Sequence, residues 1–250
     1  FWMAGPWWAE RGVAVYAYDQ RGFGRSPGRG VWPEREVLRR DLATAIALAR
    51  ERHPGVPVAV LGESMGGAVA IDALARPDAP RVDRVILAGP AVWGWSTQPW
   101  INRAGLWLGA HLFGDRAISP PRVFTRRIVA SDNRPELRRM GRDPLMIWET
   151  RPDAVYGLVS LMEDARRDIG RVPAPVLFLY GEKDALIPKR PTRRAAAALK
   201  PGDRTAWYAE GWHVLLRDYG AETVWRDVEA FVTDPGAPLP SGAPPIPTEE

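Results

Sequence analysis

One short run limits what this chain can fold into. Gly62-Glu63-Ser64-Met65-Gly66 fits the pattern Gly-x-Ser-x-Gly and lies between two stretches of opposite character. Before it, Pro57 to Gly62 is a brief apolar run suited to a strand. After it, Gly66 to Ala75 is small and apolar, suited to a helix packed closely on a sheet. A strand that turns straight into a helix needs residues without Cβ atoms where the two approach, and Gly62, Gly66 and Gly67 supply them. In that setting Ser64 occupies a strained turn. Its hydroxyl stands above the sheet, and the positive end of the helix lies behind it. A glycine-rich turn whose serine only caps a helix would show the same five residues, so partner residues must decide.

A serine hydroxyl needs a base to act as a nucleophile. Only three histidines are present. His53 precedes Pro54-Gly55 in a loop before a strand, on the opposite rim from Ser64. His111 lies within an apolar helical stretch, and both read as structural or surface residues. His213 follows the strand-like run Thr205 to Tyr208, which places it in a loop at a strand's C-terminal end. The third member should be an acid after another strand. Asp184 follows Val176 to Tyr180 in Gly181-Glu182-Lys183-Asp184, where it would orient the imidazole and stabilise its charged form. Glu182 competes but sits nearer the strand, as a turn residue would. The Met65 N–H would supply half of an oxyanion hole. The chain order Ser64, Asp184, His213 is one in which this constellation is known to occur.

Around these residues the chain alternates strand-like and helix-like segments. Trp7 to Gly12 reads as a helix end stopped by glycine, and Val13 to Tyr18 as a strand rich in β-formers. Glu36 to Arg50 carries apolar residues at helical spacing, and Val82 to Ala88 is a further strand. Apolar runs without polar alternation predict strands covered on both faces, hence an α/β fold with a mostly parallel sheet flanked by helices. The rhythm breaks after Gly89-Pro90. Residues 93–171 are rich in Trp and Arg and read as an inserted helical cap; 1–92 and 172–233 then form the core. Trp93, Trp95, Trp100, Trp107 and Trp148 would suit an apolar tunnel for an acyl chain, although most such residues simply pack a cap on its domain. The tail, 234–250, is rich in Pro and Gly with little apolar mass, a composition that predicts disorder.

Composition removes other classes. The absence of cysteine excludes disulfides, thiolate metal sites and a cysteine nucleophile, and three dispersed histidines argue against a histidine metal centre. No cofactor or metal is expected. The net charge of +4 lies in 93–171, where 13 arginines are mixed with 9 acids. That mixture is unlike a nucleic-acid-binding stripe, so no nucleic-acid partner is expected; weak contact of the cap with a membrane surface is. The longest mid-chain apolar stretch, Ala104 to Phe113, is too short to span a bilayer, and no signal peptide is visible, which points to a cytoplasmic location.

Four segments together carry a resemblance: Tyr18-Asp19-Gln20-Arg21-Gly22-Phe23-Gly24-Arg25-Ser26, Gly62 to Gly67, Gly181 to Asp184, and Gly211-Trp212-His213. Over residues 1–233 the chain resembles the monoacylglycerol lipase and lysophospholipase group of α/β-hydrolases. The resemblance implies the α/β-hydrolase fold and a serine hydrolase that cleaves acyl esters through an acyl-enzyme on Ser64. It implies that the Asp19 to Ser26 loop is structural, with no catalytic role for Asp19 or Arg21. Members of the group carry further strands upstream and a His-Gly loop that supplies a second oxyanion N–H. Nothing here matches that loop, and the chain begins at Phe1, so an N-terminal truncation is expected. The residues leave open an amidase, peptidase or thioesterase with the same triad, and a non-catalytic relative that binds a ligand.

Overall fold

The computed structural model describes residues 1–119 and 129–248. Four parallel strands lie side by side in chain order: β1 (Ala59–Glu63), β2 (Arg84–Ala88), β3 (Val176–Gly181) and β4 (Arg204–Tyr208). The described helices are α1 (Ala4–Ala9), α2 (Arg35–Arg52), α3 (Met65–Leu74), α4 (Trp100–Phe113), α5 (Arg134–Gly141), α6 (Pro152–Asp168), α7 (Lys189–Ala197) and α8 (Ala221–Thr233).

Successive residues of the central strands enter two different cores. Val85 and Leu87 of β2 join Val176, Phe178 and Tyr180 of β3 in one layer, with Leu38, Leu42 and Ile46 of α2. Ile86 and Ala88 join Leu177 and Leu179 in the other, with Trp8 of α1 and Val224, Val228 and Phe231 of α8. A strand with a core on each face has no place for a polar alternate, which is why these runs read as unbroken apolar sequence. The result is the parallel, doubly covered sheet expected of an α/β-hydrolase. Within the helical layer, Asp72 of α3 is buried and accepts two hydrogen bonds from Arg39 of α2, at 2.7 and 2.9 Å. Arg76 adds a third at 3.1 Å. Shared among two guanidinium groups, the carboxylate is not left as an unpaired buried charge.

Between β2 and β3, residues 93–171 contribute α4, α5 and α6 and, among the described residues, no strand of the sheet. Helix α4 packs on α6, and α6 packs on α3. The tryptophans of this region do not share one fate. Trp93 and Trp95 pack against the core, and the Trp95 indole N–H donates to Ser160 Oγ at 3.0 Å. Trp100, Trp107 and Trp148 remain 75, 53 and 62% exposed. Those three side chains are therefore not part of the buried core.

Two segments depart from expectation. Val13 to Tyr18 joins no ladder; its side chains are mostly exposed, and the Tyr16 hydroxyl pairs with His53 Nε2 at 2.9 Å. The β-preference of Val and Tyr reflects packing on a pleated surface, and without a neighbouring strand it does not act. The tail is the second. Rather than being disordered, its described part, 234–248, runs along the open edge of β4, where the Trp207 N–H donates to Pro244 O and the Ile246 N–H to Thr205 Oγ1, both at 2.8 Å. Ser241 donates from its N–H and hydroxyl to the buried Asp227, which also accepts from the Tyr208 hydroxyl. Leu239 and Ile246 are buried, one in each core layer. The composition rule failed because two apolar residues suffice when they cover an unpaired sheet edge.

The tail's contribution is measurable. Ile246→Ala should lower unfolding stability by about 2 kcal/mol, the lower end for a buried aliphatic side chain, and depress the thermal midpoint. An unchanged midpoint would restore the disordered tail.

Candidate active site

Three loops meet at the C-terminal edge of the sheet. Ser64 follows β1, Asp184 lies three residues beyond β3, and His213 lies five residues beyond β4. His213 Nδ1 is 2.8 Å from Asp184 Oδ2, and His213 Nε2 is 2.8 Å from Ser64 Oγ. A carboxylate only accepts hydrogen bonds, so with Asp184 ionised the Nδ1 atom carries the proton and Nε2 accepts from the serine hydroxyl. Asp184 Oδ1 is already engaged by the N–H groups of Leu186 and Ile187, at 2.7 and 2.9 Å. Those bonds hold the carboxylate in one orientation and leave Oδ2 for the imidazole. The His213 and Asp184 side chains are almost fully buried, at 4 and 0% exposure, whereas Ser64 is partly open to solvent.

The backbone at Ser64 explains its reach. Its φ of 52° and ψ of −118° make it the only non-glycine described residue with positive φ. Such a conformation costs on the order of 1–3 kcal/mol and persists where neighbours over-determine it. The neighbours here are backbone. A Cβ placed on Gly62 would lie 2.4 Å from Gly66 O and 2.6 Å from the Gly67 Cα, so β1 and α3 are in direct contact across the turn. Gly67 and Ala68 N–H groups both reach Ser64 O. The Met65 N–H is the first of α3 and has no acceptor within the helix. Gly89, after β2, sits beneath the histidine in a left-handed conformation; a Cβ there would lie 3.1 Å from His213 O.

Ser64, Asp184 and His213 are therefore brought together, and Met65 begins the helix beside them. Glu182 faces away: it accepts from the Trp207 indole at 3.1 Å and from Lys189 Nζ at 3.2 Å. His111 Nδ1 is bound to Trp107 O and its ring stacks on Trp107, so neither it nor His53 approaches Ser64. In the Asp19 to Ser26 loop, Arg21 makes a bidentate pair with Asp41 and Asp19 accepts from the Arg25 N–H. Both are scaffold contacts. Two open surface depressions of about 510 and 490 Å³ flank α5 and the 146–151 segment; neither is lined by Ser64 or His213.

The motifs did not single out Glu63, Arg217 or Asp218. Glu63 Oε2 accepts from Arg217 Nη2 at 2.8 Å, an ion pair that joins the residue before Ser64 to the histidine loop. Asp218 is buried and accepts from Ser131 Oγ at 2.6 Å and the Trp212 N–H at 2.8 Å. Burial pushes its carboxyl up to about 6, against the lowering effect of those two hydrogen bonds. An acid shortly before a helix reads in sequence as an ordinary helix-start residue, so no local signal marks it. Among the described residues, no helix is long and apolar enough to cross a membrane, and no cluster of His, Asp and Glu could hold a metal ion.

A family profile described as serine aminopeptidase, S33, matches residues 4–220. A monoacylglycerol lipase of Mycolicibacterium smegmatis is 29% identical over 224 residues, covering 88% of this chain and 78% of that protein. A monoglyceride lipase of Rattus norvegicus is 30% identical over 231 residues, covering 88% and 73%. Among solved structures, a monoacylglycerol lipase of Paleococcus ferrophilus aligns with a TM-score of 0.74 at 24% identity, over 92% of this chain and 86% of that one. At that identity the likeness concerns the fold.

The turn makes a sharp contrast between two glycines of one motif. Gly62→Ala forces a Cβ against fixed backbone and should cost at least about 1–3 kcal/mol, the usual penalty for overpacking. It should also lose reaction of Ser64 with a fluorophosphonate. Gly66→Ala meets only the Gln20 side chain, at 3.6 Å, and should keep both stability and reactivity. Equal tolerance at the two positions, measured by thermal melting and labelling rate, would contradict the close-contact account of the turn.

Proposed function

Since the chain belongs to the serine aminopeptidase S33 family of α/β-hydrolases and is a serine ester hydrolase, we propose that it cleaves acyl esters such as monoacylglycerols or lysophospholipids through an acyl-enzyme on Ser64. The observation that carries this reading is the continuous hydrogen-bonded series Ser64, His213, Asp184 at a strained turn.

In this mechanism His213 Nε2 takes the Ser64 proton as Oγ attacks the acyl carbonyl carbon. Asp184 holds the Nδ1–H and stabilises the imidazolium that forms. The Met65 N–H and the positive end of α3 stabilise the oxyanion. Collapse of the tetrahedral intermediate breaks the bond to the leaving oxygen, which receives the proton from His213. Water then gives a proton to Nε2 as it attacks the acyl carbon, and a second collapse returns the proton to Ser64 and frees the acid.

We further propose that residues 93–171 act as a cap that selects the acyl group. The exposed face of α4, with Trp100, Ile101, Trp107, Leu108, Leu112 and Phe113, supports contact with an aggregated lipid substrate, because apolar side chains there remain in water otherwise. The description of the family profile favours a second reading, hydrolysis of an amide or peptide bond by the same residues. Rates on matched ester and anilide substrates separate the two.

Fluorophosphonate labelling should modify Ser64 and vanish in Ser64→Ala. Asp184→Asn should retain the fold and lose turnover by about 10⁴-fold, the size of the comparable effect in a serine protease. Glu182→Gln should change turnover little; a larger loss there than at Asp184 would refute the choice of acid. An ester panel from short to long acyl chains, with monoacylglycerol and lysophospholipid included, tests the substrate class.

A further inference from the structure

His213 lies in the connection between β4 and α8, whose only regular element is the short turn Leu215–Arg217. Bonds within the loop and to a distant segment must fix its geometry. The peptide groups on either side of it show how. The Trp212 N–H donates to Asp218 Oδ2 at 2.8 Å, and the Val214 N–H donates to Ala130 O at 3.1 Å. The first bond is internal to the loop, the second joins it to residues 130–133, and three more bonds run between those two segments. Ser131 Oγ donates to Asp218 Oδ1 at 2.6 Å, Asn133 Nδ2 donates to Arg217 O at 2.9 Å, and the Tyr219 N–H donates to Asp132 Oδ1 at 2.9 Å. Residues 130–133 belong to the region between β2 and β3, far in sequence from the histidine. They are laced along the loop that carries it.

Among the described residues, Asp218 is the one side chain bonded to both the peptide beside His213 and this distant segment. It is only 4% exposed, and a carboxyl group buried that deeply is tolerated only when its oxygens are engaged. We infer that Asp218 is a positioning residue for the reaction: it sets the His213 ring against Ser64 through the Trp212 amide, and it links that placement to residues 130–133 through Ser131. The inference rests on His213 being the base.

The chemistry of the site predicts which replacements succeed. Asp218 is drawn toward neutrality by burial and by the nearby Asp132 and Glu63 carboxylates. A neutral carboxyl keeps both bonds, with one oxygen accepting from the Trp212 N–H and the O–H donating to Ser131 Oγ. Asparagine has the same shape and the same donor and acceptor, whereas alanine has neither. A displacement of about 1 Å in a reacting group costs on the order of 10²-fold in rate.

The test compares kcat and KM for a soluble ester in the wild-type chain, Asp218→Ala, Asp218→Asn, Ser131→Ala and His213→Ala, together with the downfield proton resonance of the His213 Nδ1–H. Asp218→Ala should lose on the order of 10²-fold in kcat with KM nearly unchanged and a broadened or shifted Nδ1–H signal. Asp218→Asn should restore kcat to within a few-fold of wild type, and Ser131→Ala should fall between the two. Wild-type kcat in Asp218→Ala, or equal losses in the Ala and Asn variants, would overturn the inference. If Asp218→Ala does not fold, Ser131→Ala decides, and a wild-type kcat with an unmoved Nδ1–H signal overturns it. Wild-type turnover in His213→Ala would instead remove the base itself, a result distinct from an insensitive Asp218.

Discussion

At the turn after β1, backbone meets backbone. Gly62 lies so close to the first turn of α3 that no side chain fits between them, and the chain reverses at Ser64 with φ at 52°. The strain is held from several sides: a strand anchored in the sheet through Ser64 N–H to Ala88 O of β2, a helix whose first N–H groups close onto Ser64 O, and small residues that let α3 lie flat on the core. Relaxing the turn would move the serine oxygen, and the 2.8 Å approach to His213 Nε2 depends on where that oxygen stands. The rest of the site is arranged to meet it.

Parallel strands supply that arrangement. Because all four described strands run the same way, their following loops emerge at one edge, and residues about 30 and 150 positions apart become neighbours. The loops then need fixing individually. Asp184 is held by two N–H groups of its own turn, a local solution. The histidine loop has one internal bond of this kind, from the Trp212 N–H to Asp218, and Asp218 is held in turn by Ser131 of residues 130–133, while Arg217 ties the loop to Glu63 at the serine turn. The region between β2 and β3 therefore does two physically different things. Residues 130–133, near its middle, are bonded to the histidine loop, and α4 leaves a broad apolar face in solvent.

Much of this was legible in the residues. The apolar runs of β1 to β4 and the helical spacing of α2 were visible because burial on two faces or on one stripe leaves a pattern in the chain. Ser64, Asp184 and His213 were visible because each sits beside a glycine-bearing turn after a strand. The segment Val13 to Tyr18 misled, since its composition suits a strand and only a partner makes one. The tail misled in the other direction. Its Pro and Gly content hides two apolar residues, Leu239 and Ile246, and a serine that reaches Asp227. Whether they bury depends on an open sheet edge that no local pattern reports.

The division has a physical basis. Local sequence by itself determined the elements of the sheet and of α2, the strained turn and the chemical types of the three site residues, because periodicity, turn chemistry and side-chain acidity act over a few residues. Tertiary structure alone decided the contacts that span the chain: which tryptophans stay in water, how Asp218 joins Trp212 to Ser131, and how Glu63 finds Arg217. A hydrogen bond between residues 87 positions apart leaves no trace in the neighbourhood of either one. It exists only once the sheet has set the loops side by side.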